Sequence, residues 1–493
     1  MNKLTYVAMA AMCAFVFASC SSDDDYMEGM PFESGYKLES LNEVVPEDPS
    51  GDKFNDLKDN PFVKCAEQNV STFSVDADGA SYAIMRKYVN NLWKISPSSV
   101  RIEEFLNYFT YNYAEPTDGN TAAISSEIGV CPWNTSHLLL RLGIKGKSLS
   151  DNEIPKSNYV FLVDVSGSMD SEDKLPLLKR GLKTLVTQLQ PDDRISLITY
   201  SGNVEKLLES TPAKEIDKIT KAIDRLYASG CTNGGQALID AYTEALANYI
   251  QGGNNRVILG TDGDFNVGLT STEELLKVVE QYADKGIFTT VCGFGSGNLN
   301  DGMMEKVSNR GNGTYEYIDC ENQMMKVFVH EKSKLISVAC DSKCQIEFNP
   351  EYVDSYRLIG YENRVMDNND FDNDAKDAGE IGAGQTITAL YEIVPVEGAS
   401  ADKIASFNFR YKKALGAESV HLSTEIKKTD VKDKPSDDFY FAAGVATYGM
   451  MLRESPYKGD ATFTMAVDLA SKGKSFDPNG YRAEFINLMI KNK

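Results

Sequence analysis

Between residues 158 and 333, short apolar runs alternate with stretches in which apolar residues recur every three or four positions. The runs YVFLVDV, RISLITYS, RVILGTD, IFTTVCGF and GTYEYID read as strands. KLPLLKRGLKTLVTQL, QALIDAYTEALANYI and TEELLKVVEQYA carry the helical period between them. Strands with no polar face, separated by helices, predict a parallel sheet covered on both sides, an α/β domain over 151–334. In such a sheet the functional crevice lies beyond the carboxyl ends of the strands.

The flanks have a different texture. Upstream, SYAIMRKYVNNLW sets Tyr82, Met85, Val89 and Trp93 at helical spacing, and VRIEEFLNYF repeats the pattern after Pro97. Residues 124–147 read as two strands. After residue 335, CQIEFNP, YRLIGYE, ITALYEIVPV, IASFNFRYKK and VHLSTEIKK predict a β-sandwich-like region. Helical patterns return in FYFAAGVATYGMMLRE and YRAEFINLMIK. Two upstream strands are too few to close a sandwich, so 124–147 is expected to pair with strands beyond 335. The expected organisation is an N-terminal region over 61–150, the α/β domain over 151–334, and a β-rich domain with terminal helices over 335–493.

The N-terminus changes the picture of where the chain works. Lys3 precedes a mostly apolar run from Leu4 to Phe17, too short for a membrane span and suited to a secretory signal. Ala18-Ser19 directly before Cys20 resemble a bacterial lipoprotein signal, which implies removal of residues 1–19 and acylation of Cys20. Asp23-Asp24-Asp25 are similar to the surface-export signals of Bacteroides-type lipoproteins. The expectation is a lipid anchor in the outer membrane, with the surface face favoured over the periplasmic one. Residues 21–60 hold twelve acidic residues against three lysines, so 20–60 reads as a flexible acidic tether. The whole chain carries a formal charge of −22, a field that repels phosphate backbones and excludes nucleic acid as a partner. Of nine cysteines, Cys13 lies in the signal and Cys20 at the lipid site; the odd remainder makes no disulfide framework. Cys340 and Cys344 are open to pairing or to remaining thiols.

The chemistry gathers where strands end. Asp164-x-Ser166-x-Ser168 follows the first strand of the α/β domain. Thr232, in SGCTNGG, stands before a helix, and Asp262, in RVILGTDGDFN, ends another strand. Three hydroxyls and two carboxylates make an all-oxygen site suited to a hard cation, Mg²⁺, with Mn²⁺ or Ca²⁺ as alternatives. Neutral hydroxyl ligands leave the cation electrophilic, ready to accept a carboxylate from outside. This constellation resembles the metal-ion-dependent adhesion site (MIDAS) of von Willebrand factor A (VWA) domains. FSVDADGASYAIMRKYVNN, RIEEFLNYF, TDGDFNVG, AGEIGAGQTITALYEIVP and AAGVATYGMMLRESPYKG look like a bacterial VWA family with one associated segment before the domain and one after. That likeness spans 61–493. It implies a doubly wound, mainly parallel, Rossmann-like VWA domain, with Asp164, Ser166, Ser168, Thr232 and Asp262 as metal ligands. It also implies a protein partner presenting a carboxylate, and no catalysis.

Weaker constellations compete. GFGSGN at 293–298 is like a dinucleotide fingerprint, but Asn298 stands where the third glycine belongs. His137, His330 and His421 sit in no catalytic motif, which disfavours a hydrolase or glycan-processing enzyme. DNNDFDNDAKD at 367–377 alternates Asp370, Asp372 and Asp374 but lacks the glycine and final glutamate of an EF-hand; it reads as a solvated acidic loop. The rival within the same fold is an envelope assembly factor whose metal only rigidifies the site.

Overall fold

The computed structural model describes residues 51–230, 234–263 and 271–493. The signal, Cys20, most of the tether and Thr232 lie outside the described residues. From the N-terminal side, β1 (Val63–Lys64), β2 (Val70–Ser74), α1 (Ala80–Asn90), α2 (Ile102–Asn107), β3 (Ala122–Val130) and β4 (Leu138–Gly146) precede the α/β lobe. The lobe contains β5 (Ser157–Asp164), α3 (Leu175–Val186), β6 (Arg194–Tyr200), β7 (Val204–Pro212), α4 (Ile216–Asp224), α5 (Gly235–Ala247) and β8 (Asn254–Thr261). It ends with α6 (Thr272–Ala283), β9 (Ile287–Phe294), α7 (Asp301–Arg310), β10 (Tyr315–Ile318) and α8 (Glu321–Met325). After it come β11 (Ser337–Phe348), β12 (Val353–Ile359), β13 (Val365–Met366), β14 (Gly379–Gly382), β15 (Thr386–Pro395), β16 (Lys403–Lys412), β17 (Ser419–Lys427) and β18 (Val431–Lys432). Helices α9 (Asp437–Leu452), α10 (Phe463–Lys472) and α11 (Tyr481–Lys491) close the chain.

The lobe's sheet runs β10-β9-β8-β5-β6-β7, with β5 central and every pairing parallel except β6 with β7. Along β5 the side chains alternate between two cores. Val160 and Leu162 pack with α5, α6 and α7; Phe161 and Val163 pack with α3 and α4. The pattern of apolar runs does not reveal β7, because Glu205, Lys206 and Glu209 point to solvent along that edge strand. Charged residues on an edge keep it from pairing with other chains.

The flanking strands form two sheets around one core. One runs β1-β12-β15-β4-β3-β18, the other β13-β2-β11-β16-β17 with β14 on β11. Residues Leu138 to Lys145 of β4 pair with Ile393 to Thr386 of β15, so strands from before and after the lobe share a sheet, as the strand count predicts. The lobe is thus an insert between β4 and β11. Helix α1 ties the parts together through two faces. Ala80, Ala83, Ile84 and Tyr88 enter the lobe's core, while Tyr82, Met85 and Val89 enter a second cluster with α2 and α9–α11.

One expectation needs correction. Residues 51–60 read from composition as the end of the tether, yet they are laid on the fold. Gly51 and Lys53 N–H donate to the carbonyls of Gly297 and Leu299 at 3.1 and 2.9 Å, and Asp59 pairs with Arg453 at 3.1 Å. Composition registers acidity, not that backbone groups of a neighbouring loop await partners. Of the two states open to Cys340 and Cys344, the thiol is the one found: both are buried and unbridged on β11. Four positions along one strand exceed the ~7 Å between Cα atoms that a disulfide can bridge.

Candidate metal centre

The carboxyl end of β5 lies between β6 and β8, so the turn after Asp164 is clamped from both sides. Val165 N–H donates to Tyr200 O at 2.9 Å, and Val165 O accepts from Ser229 N–H at 2.7 Å. Met169, fully buried, plugs the short 3₁₀ turn Gly167–Asp170 into the core beneath. Asp164 is itself buried; its Oδ1 accepts from Ser166 N–H at 2.9 Å and its Oδ2 from the Thr261 hydroxyl at 3.1 Å. Burial pushes its carboxyl up from the ordinary range and the charge of Asp262 adds to this, against the pull of the Ser166 hydrogen bonds.

Ser166 and Ser168 bring their hydroxyl oxygens to 3.0 Å of one another, Ser166 buried and Ser168 open to solvent. Asp262 follows β8, the strand paired with β5, and is fully buried. Its Oδ2 accepts from the Lys174 ammonium at 2.9 Å, while its Oδ1 has no hydrogen-bond partner among the described residues. Gly230 O accepts from Gly167 N–H at 3.1 Å, so the residue just before the segment carrying Thr232 reaches this turn. Four of the five expected ligands therefore gather at one edge of the sheet.

Lys174 is the residue that sequence reasoning missed. Its ammonium also donates to Ser168 O at 3.0 Å and lies 3.5 Å from Asn298 Oδ1. Its alkyl stem crosses Gly295, where a Cβ would fall 2.0 Å from Lys174 Cε and where φ is +69°. Only glycine satisfies both conditions. A lysine at the start of α3 looks like a solvent-facing residue; its single sequence signal is the glycine at the end of a strand more than a hundred residues away.

The donor set fits a divalent cation. Every candidate donor is oxygen, and a buried carboxylate oxygen without a partner carries a desolvation cost that a cation would offset. An ammonium already seated on Asp262 marks the place as one that favours positive charge.

The rival constellations are otherwise engaged. The N–H groups of Gly297 and Leu299, which a nucleotide phosphate would need, donate to Asp52 Oδ1 at 2.8 and 3.0 Å. His137 bonds Glu392 at 2.6 Å, His330 bonds Tyr481 at 3.0 Å, and His421 packs on Phe371. Asp374 is held by Ser419 at 2.6 Å and Arg410 at 3.0 Å, and Asp372 is exposed.

The family described as von Willebrand factor type A domain matches residues 158–328, and one described as von Willebrand factor matches 48–141. That described as Uncharacterized protein YfbK, C-terminal, matches 333–493. The chain is 38% identical over 468 residues to YfbK of Escherichia coli (strain K12), covering 90% of this chain and 81% of that protein. It is 26% identical over 197 residues to the protein sll0103 of Synechocystis sp., covering 39% and 45%. Among solved structures it is similar to a von Willebrand factor type A protein from Catenulispora acidiphila, with 15% identity and a TM-score of 0.45 over 77% of this chain and 91% of that one.

Proposed function

Since the chain belongs to the VWA family of YfbK, we propose that it is a cell-envelope lipoprotein whose VWA domain binds a divalent cation and, with it, an acidic group of a protein partner. VWA domains serve protein–protein interaction, which makes a binding role the starting point. The observation that carries the finer reading is the buried Asp262, one oxygen unpartnered among the described residues and the other on an ammonium. Asp164, Ser166, Ser168, Thr232 and Asp262 would hold the ion. Mg²⁺, when bound, would supply the Lewis acidity that attracts a carboxylate. Asp164 orients the turn through Ser166 N–H, and Ser166 and Ser168 contribute neutral oxygens that leave the site's positive charge largely unquenched. Ser168, open to solvent, stands on the side from which a partner's side chain would arrive.

Pull-down of envelope proteins in Mg²⁺ and in chelator, with wild type and Asp164→Ala, tests this reading. Wild type should retain its partner only with Mg²⁺, and the variant under neither condition. Capture that ignores both the metal and the substitution would remove it. The second reading, an assembly factor, is favoured by one observation: Lys174 neutralises Asp262 without any metal. On that reading the partner stays bound in chelator. The envelope location rests on Cys20. A clickable fatty acid should label wild type and spare Cys20→Ala; labelling of the variant would count against the anchor.

A further inference from the structure

The acidic run at 367–377 does not close on itself, but its last residue meets two acids from elsewhere. Strand β11 is irregular here: its pairing with β16 steps from Cys340↔Lys412 to Lys343↔Arg410, and its pairing with β14 from Ala339↔Ile381 to Ser342↔Gly379. The extra residue re-aims a side chain, as bulges do. Asp341 sits in that irregularity at φ +49°, a left-handed conformation that Asp tolerates better than most residues. Asp341, Asp377 and Glu380 each offer a carboxylate oxygen, and these oxygens lie within 4.8 Å of one another. Oxygens bound to one Ca²⁺ at about 2.3–2.6 Å can be no farther apart than roughly 4.6–5.2 Å. The three therefore lie close enough together for one ion to draw them in.

A second observation points to a ligand. Glu380 is 7% exposed and its Oε1 has no hydrogen-bond partner among the described residues. Burial pushes its carboxyl up, with the charges of Asp377 and Asp341 adding to that. Lys412 Nζ lies 2.5 Å from Asp341 Oδ2 and Lys343 also acts on Asp341, Arg310 acts on Asp377 and Arg256 on Glu380, while Glu280 adds a further negative charge. A cavity of about 370 Å³, lined among others by Asp377, Glu380, Glu280, Arg310, Arg364 and Lys376, leaves room for the waters that would complete a coordination shell.

We propose that Asp341, Asp377 and Glu380 form a second divalent-cation site, for Ca²⁺, separate from the centre in the VWA lobe. Calcium suits it better than magnesium because the carboxylates come from a bulge, a loop and a strand. Ca²⁺ accepts such irregular sets, whereas Mg²⁺ demands near-octahedral geometry. The site borders α6 and α7 through Glu280 and Arg310, so the ion would brace the lobe against the sandwich.

Calorimetric titration of CaCl₂ into the full chain carrying Asp164→Asn, which removes charge from the first centre, isolates the second. This protein should bind one Ca²⁺, and adding Asp377→Asn should weaken that binding by about tenfold or more, the least expected when a metal loses a partner. Glu380→Gln should do the same; Asp377 is exposed, so its variant folds even if the buried one does not. No Ca²⁺ binding in the Asp164→Asn protein, or undiminished binding after Asp377→Asn, would overturn the site. Equal affinity for Mg²⁺ would overturn its assignment to calcium.

Discussion

Lys174 puts the most unusual constraint on the VWA lobe's crevice. It forms a buried ion pair with Asp262, at 2.9 Å and with the aspartate fully enclosed. Removing one member of such a pair leaves a buried charge without compensation and costs roughly 3–5 kcal/mol. Lys174→Met should therefore lose about that much stability in chelator. Divalent metal should restore more to this variant than it adds to wild type, because the ammonium no longer competes for Asp262. Melting curves with and without Mg²⁺ check both halves; equal Mg²⁺ shifts in the two proteins would show that the lysine and the ion do not share a place. Asp164→Ala makes the complementary case. It removes a carboxylate that burial and Asp262 both disfavour, so it should fold in chelator about as well as wild type and gain nothing from Mg²⁺.

Among the elements, β3 and α9 meet at one carboxylate. Glu127 accepts from Ser436, the N-cap of α9, through its N–H at 2.7 Å and its hydroxyl at 2.5 Å, and from Arg141 at 3.0 Å. Burial alone would raise its pKa, but the hydrogen bonds from Ser436 and the charge of Arg141 win and bring it down to about 2 from an ordinary 4.5. A folded-state value below the unfolded one means stability that is fully present above pH 4.5 and is lost as pH falls towards 2. Its ceiling is roughly 3 kcal/mol, at about 1.4 kcal/mol per pKa unit. Denaturant titrations of wild type and Glu127→Gln should differ most near neutrality and converge in acid. A gap that persists unchanged at pH 2 would assign the loss to packing instead.

For the molecule as a whole, the lobe is an insert that its surroundings hold firmly. Arg101 reaches from the N-terminal region to Asp301 of α7 with contacts of 2.5 and 2.9 Å, both side chains almost wholly buried. Arg86 of α1 does the same with Asp319, after β10, at 2.5 and 2.9 Å. Helix α1 also covers part of the lobe's apolar core with Ala83, Ile84 and Tyr88. A fragment of residues 151–334 would expose that patch and leave Asp301 and Asp319 without their arginines. It should elute as aggregate, or melt well below the full chain; a fragment as stable as the full chain would mean these contacts are dispensable. In the full chain, Arg101→Met should cost about 3–5 kcal/mol for the same reason as Lys174→Met.

The alternation of apolar runs with helical periods was enough to read the parallel sheet and the two-layered flank, because burial on both faces leaves continuous apolar strands and a solvated face leaves alternating ones. The ends of β5 and β8 were equally legible, since a carboxylate closing an apolar run marks where a strand leaves the core. The sharing of a sheet by β4 and β15 followed from counting strands. What lay out of reach depends on contacts between distant residues. The alkyl stem of Lys174 lies against Gly295, Asp52 takes the N–H groups of Gly297 and Leu299, and Asp341, Asp377 and Glu380 converge from three segments. Periodicity reports which face of an element is buried, whereas these arrangements depend on which other element covers that face. The chain writes local preference position by position, and only the closed fold decides which charge stands opposite which.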